Sequence, residues 1–162
     1  MMLRAVLVLG LLGAALGGCA PVRPYEGPEV TRVVVMKSQR RMYLMHGDQV
    51  LAGYDTMLGF APEGHKRAEG DGRTPEGRYR VDRRNPSSRY HLSLGIDYPR
   101  PRDVAAARAA GVEPGGNIFI HGTPRRFLAE GDWTAGCVAV SNAEIERIYA
   151  MVADGTPVDI FP

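Results

Sequence analysis

Only two cysteines, four histidines and one tryptophan occur among the 162 residues. Cysteines and histidines so few and so scattered offer none of the paired spacings that hold a zinc ion, and no cofactor is expected. No apolar run reaches the length needed to cross a bilayer. No block of one charge stands out either: 20 basic and 18 acidic residues are spread along the chain for a net charge of +2. Nothing basic enough to track a phosphate backbone results, and nucleic acid is excluded as an expected partner. Internal repeats and heptads are absent. What remains is 44% hydrophobic content with mixed charge, which describes one ordinary domain with one core, expected as a monomer.

The N-terminal end reads differently from the rest. Met1 to Arg4 carries a positive charge, and Ala5 to Leu16 is apolar and of signal-peptide length. Leu16-Gly17-Gly18-Cys19 follows and resembles the lipobox of bacterial lipoproteins, which implies removal of residues 1–18 and lipid attachment at Cys19. A protein so treated is anchored to a membrane without spanning it. The expected location is the periplasmic side of the cell envelope. Ala20 stands where an aspartate would resemble an inner-membrane retention signal, which favours the outer membrane. Residues 19–29, with three prolines, read as a tether, and 30–162 as the folded domain.

Within that domain the β-branched run Thr31 to Met36, the segment Arg41 to Met45, the turn His46-Gly47-Asp48 and the segment Gln49 to Asp55 predict strands and a hairpin. Residues 61–72 have loop composition. Arg78 to Val81, Tyr90 to Leu94, Asn117 to Ile120 and Pro157 to Phe161 are further strands. Two helices are predicted. One runs from Arg102 to Ala110, and the other follows a cap at Ser141 or Asn142, with Ile145, Ile148, Tyr149 and Val152 at helical spacing. Short strands with frequent turns imply a mainly β fold, a sandwich or barrel with two short helical insertions. His46 and His65 fall in turn or loop sequence and read as solvated.

If Cys19 carries lipid, Cys137 is left unpaired in an oxidising compartment. Buried free cysteine is common, but a nucleophile is the sharper possibility. A thiol is a weak nucleophile at neutral pH unless an imidazole raises its thiolate fraction. His121 ends an apolar strand and has Gly122 beside it, whose carbonyl can orient the second ring nitrogen. Gly136 permits close approach of backbone to substrate, and the amides of Gly136 and Cys137 are candidate donors to an oxyanion. Tyr90, His91, Trp133 and Thr134 are candidate substrate contacts. Alternation along a strand lets only one of Tyr90 and His91 face a cleft. Trp133 either stacks on a sugar or packs beneath the loop, packing being favoured.

The segments Ile120-His121-Gly122-Thr123 and Asp132-Trp133-Thr134-Ala135-Gly136-Cys137, with 16 positions between His121 and Cys137, resemble the catalytic signature of the L,D-transpeptidase (YkuD-type) family. Thr74-Pro75-Glu76-Gly77, Tyr90 to Leu94 and Gly155 to Val158 extend the likeness over nearly the whole domain. Asp132-Trp133-Thr134 and Ser141 to Ile145 resemble its compact murein transpeptidase-like branch. The resemblance implies a YkuD-like fold and acyl transfer on peptidoglycan stem peptides through a Cys137 thioester with His121 as base. One departure is Ala135, where many members have histidine. Hydrolysis as a carboxypeptidase or endopeptidase, release of wall-linked protein, and a silent wall-binding lipoprotein all stay open.

Overall fold

The computed structural model describes residues 24–162, so Cys19 and the predicted signal segment lie outside the described residues. Eight strands and two helices follow in the order β1 (Arg32–Met36), β2 (Arg41–His46), β3 (Gln49–Asp55), β4 (Gly77–Ser88), β5 (His91–Ile96), α1 (Pro101–Ala109), β6 (Phe119–Gly122), β7 (Val138–Val140), α2 (Asn142–Met151) and β8 (Pro157–Phe161). They form one mixed sheet in the order β3-β2-β1-β8-β4-β5-β6-β7. Two pairings are parallel, β1 with β8 and β6 with β7.

The sheet has two halves joined through β4. Gly77 to Arg80 pair with β8, whereas Val81 and the residues after it pair with β5. Past β3 the chain returns to the far edge, where Met57 pairs with Ala139 and Gly59 with Thr134. This return nearly closes the sheet on itself, in keeping with the expected sandwich or barrel. Both halves contribute to one core, with Val33, Val35, Met42 and Leu44 from one side and Leu94, Ile96, Ile120 and Val138 from the other. Alternation is plain in β1, whose side chains are buried at every second position as a half-buried strand requires. Ile145 and Ile148 of α2 reach the same core and are fully buried.

Helix α2 begins as its sequence predicts. Ser141 Oγ accepts from the Glu144 amide at 3.3 Å, and the Glu144 carboxylate accepts from the Ser141 amide at 2.8 Å, a reciprocal cap worth about 1 kcal/mol. Other elements differ from expectation. β4 runs twelve residues and contains Pro86, tolerated because the ladder with β5 is interrupted between Asn85 and Ser88. Strand β7, only Val138 to Val140, was not foreseen, since three apolar residues carry no periodicity. His65 is not solvated: its Nδ1 accepts from the Glu76 amide at 2.9 Å and its Nε2 lies 3.4 Å from the buried Asp103 of α1. The ring thereby joins the 61–76 loop to α1.

Candidate active site

Strands β6 and β7 bring the two candidate residues together. Ile120 pairs with Val138 and His121 with Ala139. Cys137, one residue before β7, therefore lies level with Phe119, and alternation puts His121, Phe119 and Cys137 on one face. The Phe119 amide donates to Cys137 Sγ at 3.4 Å, and the thiol itself lies 3.6 Å from the Asn117 carbonyl. His121 is not at the end of its strand but within it, and it is 2% exposed.

The His121 ring is held on three sides. Nδ1 contacts the Gly122 carbonyl at 2.7 Å, and since a carbonyl only accepts, Nδ1 carries the proton and Nε2 the lone pair. The Tyr90 ring is stacked on the imidazole with centroids 4.5 Å apart, and Trp133 approaches edge-on at 5.7 Å. Such aromatic pairs contribute about 0.5–1.5 kcal/mol each beyond the area they bury. Tyr90 also accepts the Gly122 amide on its own carbonyl at 3.0 Å. Trp133 stacks on Phe127 at 4.2 Å, the packing role favoured from the sequence. His91 turns the other way and meets Glu146 of α2 at 2.7 Å. Of the two adjacent candidates, Tyr90 is the one that joins the His121 cluster.

Burial disfavours charge on both central groups. It pushes the His121 pKa below 6.5, against a smaller opposite effect of the Gly122 carbonyl. It pushes the Cys137 thiol above 9.0, against the Phe119 amide and the charges of Lys66 and Arg83. Both shifts favour the uncharged form of their group. The sequence reading has the imidazole raise the thiolate fraction, and burial of the thiol works against that fraction.

Two further expectations change. Thr134 is buried, and its hydroxyl donates to the Cys137 carbonyl at 2.8 Å while accepting the Gly136 amide at 3.1 Å. Its polar atom is occupied in shaping the turn and is not offered to a ligand. The same bond engages the Gly136 amide, whereas no described residue takes a hydrogen bond from the Cys137 amide. Gly136, at φ +130, is required by the chain itself: a Cβ there would lie 2.6 Å from the Arg73 carbonyl. The close approach anticipated for substrate is made by the 61–76 loop. Lys37 fastens that loop through the Gly64 and Thr74 carbonyls and Glu76. Asp71 fastens it through Lys66 and three amides.

A family model described as the L,D-transpeptidase catalytic domain, YkuD, matches residues 30–160, and the chain belongs to this family. YafK of Escherichia coli strain K12, which is named as an L,D-transpeptidase without its activity being established, is 29% identical over 161 residues, covering 94% of this chain and 60% of that protein. The chain therefore spans about three fifths of the length of the curated relatives it matches. Among solved structures, the helical cell shape determining protein Pgp2 of Campylobacter jejuni matches with a TM-score of 0.62 at 25% identity, over 84% of this chain and 49% of that one. Bd1075 of Bdellovibrio bacteriovorus matches with a TM-score of 0.59 at 24% identity, over 86% and 51%. An L,D-transpeptidase from Xylanimonas cellulosilytica shares the fold at a TM-score of 0.55 and 15% identity, over 85% and 63%.

Proposed function

We propose that the chain catalyses acyl transfer on peptidoglycan stem peptides, with Cys137 as nucleophile and His121 as base. The observation that carries this reading is the pairing of β6 with β7, which sets a fixed imidazole and a thiol on one face of adjacent strands. As Cys137 Sγ attacks the carbonyl between an L- and a D-centre, its proton passes to His121 Nε2. The oxyanion so formed is met by the Cys137 amide. On collapse, the departing amine takes the proton from Nε2 and leaves a thioester on Sγ. An acceptor amine then attacks the thioester, gives its proton to Nε2, and returns the thiol as the new amide forms. The Gly122 carbonyl stabilises the imidazolium that appears during each transfer. Residues 1–18 serve as a lipoprotein signal and Cys19 as the lipid attachment site, which puts the domain at the periplasmic face of the outer membrane.

Purified domain incubated with tetrapeptide-containing muropeptides and analysed by mass spectrometry should form crosslinked dimers with wild type and none with Cys137→Ala. Shortened monomers alone would assign the acceptor to water, and products surviving in Cys137→Ala would sink the nucleophile. Incorporation of a palmitate analogue that persists in Cys19→Ser at the wild-type level would remove the anchor.

A further inference from the structure

The ladders through β4, β5, β6 and β7 align four residues in one row. Arg83 pairs with Gly95, Gly95 with Phe119, and Phe119 lies level with Cys137. Arg83 reaches this row only because the strand is bulged. Val81 pairs with Ile96 and Arg83 with Gly95, so Asp82 is an extra residue. In a regular ladder Arg83 would pair with Leu94 and share the core-facing side of Val81; the bulge pairs it with Gly95 instead and turns its side chain to the face that carries Cys137. Gly95 clears the path, since a Cβ at that position would lie 2.5 Å from Arg83 Cγ and 2.7 Å from Nε. The guanidinium thus lies across β5 and sits over the Phe119 ring, 4.6 Å from its centroid. Phe119 is the residue whose amide touches the sulfur.

The guanidinium is also available. Both of its hydrogen bonds use Nη1, to the two carboxylate oxygens of Asp82, and Nε and Nη2 have no partner among the described residues. Asp82 and Arg83 are both more than a third exposed, and such a surface pair is held weakly enough to exchange. With strands about 4.8 Å apart, a cation that starts three strands from the thiol and reaches the Phe119 ring stands over the strand next to it. Its charge bears on Cys137, as does that of Lys66.

We infer that Arg83, admitted to the cleft by the Asp82 bulge and the missing side chain at Gly95, binds a free carboxylate of the acyl donor while Cys137 attacks that donor's carbonyl. This rests on the acyl-transfer reading and names what the site recognises. Planar two-point pairing of guanidinium and carboxylate holds the donor in register with the sulfur. A stem peptide offers a terminal carboxylate and internal ones, and amidation tells them apart.

The test compares a stem tetrapeptide with forms amidated singly at the terminal carboxylate or at each internal free carboxylate, using wild type, Arg83→Gln, Arg83→Lys and Gly95→Ala. Arg83→Gln should lower kcat/KM on the free donor by about 10- to 100-fold, mainly through KM. One amidated donor should be equally poor for wild type and Arg83→Gln, which identifies the carboxylate. Arg83→Lys should keep part of the preference, and Gly95→Ala should raise KM without adding to Arg83→Gln. Alkylation of Cys137 by iodoacetamide, a neutral reagent, should change by less than about threefold. A loss of the same size on every donor, or a matching loss in alkylation, would overturn the proposal in favour of an effect on the thiol or the fold. Wild type that turns over none of the donors would overturn the acyl-transfer reading and this one with it.

Discussion

The two halves of the sheet obey different rules. In β1 and β2, burial follows the pleat and the core positions are Val33, Val35, Met42 and Leu44, joined by Val158 and Ile160 of β8. In the half built from the second part of β4 and from β5 to β7, the pattern breaks. The ladder between β4 and β5 slips twice, Gly95 leaves a gap, and Ser93, His121 and Thr134 are polar yet buried. Both halves pack into the one core, but only the second holds the thiol. Departures from local regularity gather where side chains must be aimed, and regular packing elsewhere carries the cost.

Exchanging damage between the halves should break this comparison if it is wrong. The largest effect is expected at His121. Replacement by Gln should slow acylation of Cys137 by a carbapenem or a stem peptide by on the order of 10²–10⁴-fold, as loss of a general base does. Intact-mass kinetics measures it, and a rate within about threefold of wild type would assign the base elsewhere. Ala135→His should not rescue this variant, because Ala135 is exposed in the turn before Cys137 while His121 arrives on β6. The pH dependence follows from the two shifts. Imidazole whose pKa is lowered stays neutral across the physiological range, so wild-type acylation should fall only below an apparent pKa under 6.5. Thiol whose pKa is raised ionises unaided only above 9.0, so the deficit of His121→Gln should shrink as pH climbs past that value.

In the regular half the effect should move from rate to stability. Leu44→Ala empties a fully buried position and should cost about 2–5 kcal/mol in urea unfolding. The carbapenem acylation rate of the remaining folded protein should stay within about twofold. A rate that collapses with stability would mean the halves are not separable. The smallest effect is expected at Tyr90, whose ring only positions the imidazole. Tyr90→Leu should slow acylation by about 2- to 10-fold, the value of one aromatic pair, and Tyr90→Phe should restore it, since the stack is made by the ring. A full loss in Tyr90→Phe would instead assign a role to the hydroxyl.

Sequence alone determined much of this protein, because some of its signals are local. Hydrophobic alternation in Thr31 to Met36, the reciprocal cap at Ser141 and Glu144, and the helical spacing of Ile145 and Ile148 each arise from a few neighbouring residues. Their physical causes, pleat, orphan amides and helical period, act over the same short range. The nearness of the His121 and Cys137 segments and the carbonyl that orients the imidazole were legible for a related reason: both follow from a motif with short spacing. Tertiary structure decided the rest. Which chain segment needs Gly136 to be small depended on the 61–76 loop arriving from elsewhere in the chain. Burial, which lowers the His121 pKa and raises that of Cys137, exists only once the core has closed. The row from Arg83 to Cys137 passes through four strands and one extra residue, and no local pattern records a bulge whose effect is to turn a side chain toward partners 12, 36 and 54 positions away.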